Sequence, residues 1–115
     1  MFERMEQNVV NLDKAKHLFT IGKFKFNAKL RELTHDATPV VKLSPKEGAL
    51  LQLLALHQID LMPRELALKK IWRDDTYFTS RSMDVYIAKL RKHLKADPSI
   101  VISNIHGEGF RMSVS

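Results

Sequence analysis

The chain has 115 residues, 44% of them hydrophobic, which fits one domain around one core. It contains no cysteine, which excludes disulfides and thiolate-bound metal and fits a reducing compartment. Nineteen Lys and Arg against 13 Asp and Glu give a net charge of +6, the balance expected of a protein that meets a polyanion. No apolar run approaches the length of a membrane span or secretion signal, so a soluble, cytoplasmic protein is expected.

Residues 1–17 are polar and carry neither turn chemistry nor strand alternation. They are read as a linker or tail, leaving 18–115 as the domain. Three short strands are predicted next, over Phe19 to Phe26, Lys29 to His35 and Pro39 to Leu43, where β-branched and aromatic residues fall between turn residues. Ser44-Pro45-Lys46-Glu47 is a helix start: a capping hydroxyl, a proline suited to the first turn and the glutamate of a capping box. The helix runs to about His57 on Leu50, Leu51, Leu53 and Leu54, a core set. Gly48 in its first turn costs up to ~1 kcal/mol relative to alanine, so a tight contact is expected there. Pro63 opens a second short helix, in which Leu66, Leu68, Ile71 and Trp72 are apolar and Trp72 anchors the core. Arg73 to Thr79 is read as a loop.

A third helix is predicted over Ser80 to Lys95, with Met83, Ile87, Leu90 and Leu94 forming one apolar stripe. At about 100° per residue, the opposite face collects Arg81, Ser82, Val85, Ala88, Lys89 and Lys92. From Thr79 to Ala96 there are five Lys and Arg against Asp84 alone, so +4 of the net +6 lies in or beside this helix. A face with cations at its ends and small residues in its middle suits the DNA major groove: bulk would block approach, and cations pair with phosphates and guanine edges. Arg81, near the helix start, is the candidate base reader. Lys89 and Lys92 are candidates for phosphate contact, and Ser82 and Val85 for base contact, Val85 through a thymine methyl. Arg91 falls near the apolar stripe and is read as structural, as is Asp84 through a cap or a pairing within the domain. Asp97-Pro98 ends the helix, and Ile100 to Val114 then reads as two strands around a tip bounded by Gly107 and Gly109. The whole is an α+β winged helix-turn-helix: an N-terminal antiparallel sheet, three helices and a C-terminal hairpin wing.

Enzymatic readings find little to stand on. His17, His35, His57, His93 and His106 show no paired spacing and no carboxylate companion, so no metal or cofactor site is expected. His-Gly-Glu-Gly lacks the lysine and hydroxyl of a nucleotide loop and reads as a hairpin turn. Asp74-Asp75 has no nucleophile or cleft beside it. The alternative kept open is a winged-helix interaction module whose basic face docks an acidic protein partner.

Leu43-x-Pro45-x-Glu47 with Leu50-Leu51, Arg64-Glu65 leading to Trp72, Arg81-Ser82-x-Asp84-Val85-x-Ile87-x-x-Leu90-Arg91-Lys92 and Gly107-x-Gly109-Phe110-Arg111 occur in that order. Together they resemble the effector domain of OmpR/PhoB-type response regulators over about Leu18 to Ser113. The resemblance implies a transcription factor whose third helix enters the major groove while the wing, with His106 and Arg111, reaches the minor groove. It also implies that the loop of Arg73, Asp74, Asp75, Thr76 and Tyr77 touches RNA polymerase. It further implies a phosphorylatable receiver domain that answers to a histidine kinase, and dimers on directly repeated half-sites. The charge of +6 and the lack of a long uncovered apolar stripe once the core is assigned predict a monomer in free solution. His106 stands where the family often has arginine.

Overall fold

The computed structural model of the chain describes residues 16–73 and 77–115. Residues 1–15 of the expected linker, and Asp74, Asp75 and Thr76 of the expected polymerase loop, lie outside them. Lys16 and His17 already pack on the domain: their carbonyls accept from Gln52 Nε2 at 3.0 Å and from Ala28 N at 2.7 Å.

The N-terminal sheet has four strands where patterning predicts three. They are β1 (Leu18–Ile21), β2 (Phe24–Asn27), β3 (Glu32–His35) and β4 (Thr38–Lys42), antiparallel neighbours in that order. The expected single strand from Phe19 to Phe26 is a hairpin, with Ile21 opposite Phe24. Gly22 breaks it by taking φ +56°, a left-handed turn open to glycine at low cost. The fold then holds the turn, as the Asp97 carboxylate accepts from Lys23 N at 2.8 Å. Alternation along these strands sends Phe19, Ile21, Phe24, Phe26 and Leu33 into the core.

Helix α1 (Pro45–Leu56) starts as the sequence predicts: Glu47 N donates to Ser44 Oγ and Ser44 N to Glu47 Oε1, at 3.2 and 2.8 Å. The leucines at positions 50, 51, 53 and 54 are all buried, so the helix is central and not merely half-covered. Gly48 meets the tight contact expected of it. A Cβ there would lie 2.9 Å from Arg31 Cγ, and Arg31 is itself held by its Nε donating to Leu43 O. Glu47 has a second use that local sequence does not reveal. Its Oε2 lies 2.9 Å from His93 Nε2 on the third helix, so His93 does have a carboxylate companion, contrary to the sequence expectation. The partners are 46 residues apart, and only packing of the helices brings them together. Burial pushes the Glu47 carboxyl up, but hydrogen bonds from Ser44 and His93 outweigh it and hold the pKa below the ordinary value.

Pro63 stands at the N-cap of the second helix, as the sequence predicts, and has a further use that the sequence does not show. With Met62 it forms β5 (Met62–Pro63), the edge of a second sheet ordered β5-β7-β6, where a residue without an N–H is tolerated. Helix α2 (Arg64–Ala67) lacks a side-chain cap; the Glu108 carbonyl accepts from Arg64 N at 2.9 Å instead. The expected single helix is wound as this α turn and a π-helical turn (Leu68–Trp72), closed by Arg73 at φ +60°. Helix α3 (Tyr77–His93) begins before the predicted Ser80, which takes Tyr77 out of the expected loop, and ends before Lys95. β6 (Ile100–Ile105) and β7 (Gly109–Val114) form the wing, with Ile105 opposite Gly109 across the turn. Asp97 organises the approach to it by accepting from Ser99 Oγ at 2.6 Å, Ser99 N at 3.0 Å and Lys23 N. The Ser99 hydroxyl, then the Lys23 amide, hold its carboxyl below the ordinary range.

The two wing glycines are expected to behave differently. A Cβ on Gly109 would lie 2.1 Å from Met62 O, a backbone atom that cannot swing aside, whereas Gly107 has nothing within 4 Å and only its φ of +78°. Gly109→Ala should cost about 3 kcal/mol or more and Gly107→Ala about 1–2 kcal/mol; equal denaturant midpoints would contradict this.

A second expectation concerns acid. The folded state holds Glu47 and Asp97 below their ordinary pKa values, so the unfolded chain binds their protons more tightly. Their contribution is complete above the ordinary carboxylate values and is lost as pH falls through the folded ones. Unfolding free energy should therefore decline below about pH 4.3. Glu47→Gln should flatten that decline while lowering stability at neutral pH, as denaturant titrations across pH would show.

Candidate nucleic-acid interface

Helix α3 buries its predicted stripe: Met83, Ile87, Leu90 and Leu94 are 0–3% exposed. Its opposite side leaves Arg81, Val85, Ala88, Lys89 and Lys92 exposed and Ser82 half-buried. Val85 is 55% exposed, an apolar group that the core has no use for. The wing adds two cationic or titratable groups to the exposed surface. His106 sits in the turn at φ +39°, and Arg111 points outward from β7 between the inward Phe110 and Met112.

Arg91 has the structural role expected of it. Its Nε and Nη2 donate to Ile102 O at 3.2 and 2.7 Å, tying α3 to the wing strand β6. Asp84 also pairs within the domain, and its partner is a residue whose role sequence patterning misses. Arg64, at the start of α2, donates from Nη2 to Asp84 at 2.5 Å and from Nε to Ser80 Oγ at 3.0 Å, while its guanidinium lies 5.3 Å from the Phe110 ring centre. With its own N–H on Glu108 O, one arginine thus joins the wing turn to the first two turns of α3. No local signal could have found it, since Arg64 and Asp84 are 20 residues apart.

Trp72 is half-buried rather than a full core anchor. Its indole meets the Tyr86 ring edge-on at 5.7 Å, and the Lys89 ammonium lies 4.7 Å over that same Tyr86 ring. Further cations, Lys69, Lys70 and Arg73, line one open cleft along the π-helical turn. A cationic, small-centred helix face beside a hairpin that presents His106 and Arg111 defines a winged-helix nucleic-acid-binding module. Among the described residues no helix is long and apolar enough to cross a membrane.

Comparison with known proteins agrees with that class and narrows it. Residues 37–112 match the family described as "Transcriptional regulatory protein, C terminal". The chain is 48% identical over 100 residues to the transcriptional regulatory protein RprY of Bacteroides fragilis (strain YCH46), an alignment that covers 87% of this chain and 42% of RprY. Among solved structures it resembles the DNA-binding domain of Bacillus subtilis CssR (29% identity, TM-score 0.65, covering 77% of this chain and 98% of that one). It also resembles the Thermotoga maritima response regulator DrrB, an OmpR/PhoB homologue (25% identity, TM-score 0.70, covering 96% of this chain and 52% of DrrB). The chain belongs to the OmpR/PhoB-type family of response-regulator effector domains, DNA-binding domains that act in transcription regulation. It spans less than half the length of the curated relative RprY.

The junction at Arg64 can be tested by stability alone. Asp84→Asn removes one half-exposed ion pair and should cost under about 1 kcal/mol. Arg64→Met also loses the Ser80 bond and the Phe110 contact and should cost about 1–2 kcal/mol. Chemical denaturation of both variants checks the order; an equal or reversed ranking would count against the junction.

Proposed function

We propose that α3 enters the major groove of duplex DNA and reads sequence there, with the wing lying along the adjacent minor groove. Arg81 contacts base edges near the start of the helix, Ser82 and Val85 supplement it, and Ala88 keeps the middle of the face low. Lys89 and Lys92 fix register on phosphates. His106 and Arg111 contribute from the wing. One observation carries this reading: α3 exposes Arg81, Val85, Ala88, Lys89 and Lys92 on one side while burying its apolar stripe on the other. The protein-partner alternative has no observation that favours it over DNA.

In the whole regulator, residues 1–17 would act as the tether of the 18–115 domain to a receiver domain under a histidine kinase, in the cytoplasm. The domain is a monomer when free and pairs on directly repeated half-sites. Arg73 to Tyr77 face RNA polymerase. The domain's own work is binding and positioning, with no catalytic step.

Two measurements test the assignment. If each monomer neutralises roughly four phosphates, the log–log dependence of affinity on salt should have a slope near −3.6, and a flat response would remove the electrostatic basis. On a duplex selected from a random pool, Arg81→Ala should cost about 1–3 kcal/mol and relax preference at one base pair. Lys92→Ala should weaken all sequences alike and reduce the slope by about one. Identical behaviour of the two variants would refute the division between reading and positioning.

A further inference from the structure

We infer that Tyr86 is a positioning residue for DNA binding, acting through Lys89 and not by contact of its own. The inference rests on the reading that Lys89 meets the DNA backbone. Lys89 is exposed, and a free lysine side chain there would sample many rotamers that binding must freeze. Its ammonium instead lies over the Tyr86 ring at 4.7 Å. A ring face attracts the cation without accepting its N–H bonds in the way an oxygen would, so the donors stay available to a phosphate. Tyr86 is in turn held. It is half-buried beside the core and its ring meets Trp72 edge-on at 5.7 Å, where the π-helical turn ends. Trp72, Tyr86 and Lys89 therefore form a ladder from the rim of the core to the cationic face. Its aromatic rungs lose no freedom when DNA arrives, and its last rung is ordered before contact. The structural alternative, in which Tyr86 only fills space between α2 and α3, makes no link to Lys89.

The test is a double-mutant cycle on the folded domain, titrated with a labelled duplex of random sequence at low salt. Lys89→Met should weaken binding and lower the salt slope by about one. Tyr86→Leu should weaken the parent about two- to five-fold, the range of an exposed cation–π contact, yet add nothing in the Lys89→Met background. Tyr86→Phe, which keeps the ring, should bind as the parent does. An equal loss from Tyr86→Leu in both backgrounds would overturn the inference, as would no loss, tighter binding, or damage from Tyr86→Phe. Lys89→Met without effect on affinity or slope would instead remove the reading beneath it, and this inference with it. Independently of any variant, ring-current shifts of the Lys89 ε-methylene protons should be present in the free protein and persist on DNA. Their absence in either state would also overturn it.

Discussion

The Arg64 guanidinium is the point on which the relative placement of α3 and the wing depends. The α3 stripe and the wing strands would each bury apolar surface at many relative rotations, because hydrophobic contact is not directional. Arg64 removes that freedom with directed bonds: to Ser80 and Asp84 on α3, onto the Phe110 face in β7, and from its own amide to Glu108 in the wing turn. A planar guanidinium suits this use, since its donors leave in fixed directions while its face rests on an aromatic ring. Arg91 supplies the second fixed point by closing α3 onto Ile102 of β6. Helix and wing are thereby presented as one surface. Rigid presentation matters for recognition because disorder in a contact group has to be removed on binding.

A charge economy follows from the same junction. Asp84 is the lone acid of the α3 segment and is half-exposed beside the cationic face, where a free carboxylate would oppose phosphate. Pairing with Arg64 cancels it locally. Glu47 and Asp97, the other well-placed acids, are turned inward and spent on structure: one caps α1 and bonds His93, the other holds the Lys23 and Ser99 amides. These acids thus hold the frame, while Arg81, Lys89 and Lys92 are exposed on the side of α3 opposite its buried stripe.

The expected elements that changed in the structure did so for identifiable reasons. Phe19 to Phe26 alternates like one strand, and only Gly22 at φ +56° with Asp97 below it makes two. Pro63 caps the second helix as expected, but its place in a strand stays hidden until β7 is known to lie beside it with Gly109, whose missing side chain admits the Met62 carbonyl. Trp72 reads as core by hydropathy, yet it stands at the rim, the last residue of the π-helical turn that Arg73 closes at φ +60°. The first two cases turn on a partner distant in the chain, the third on local backbone conformation.

By itself the sequence determined what local periodicity and composition can carry. The α3 stripe, the small cationic face opposite it, the Ser44–Glu47 capping box and the glycine-bounded wing were all legible, because residue spacing and backbone propensity act within a few positions. So was the excess positive charge that points to DNA. The tertiary structure alone decided the Arg64–Asp84, Glu47–His93 and Lys23–Asp97 bonds, the strand at Met62–Pro63 and the Trp72–Tyr86 contact. These pairings join elements separated by 14 to 74 residues, and their cause is the shared core that brings the elements together. A polar side chain has many possible partners along a chain, and only the packing of apolar surfaces selects which one it meets.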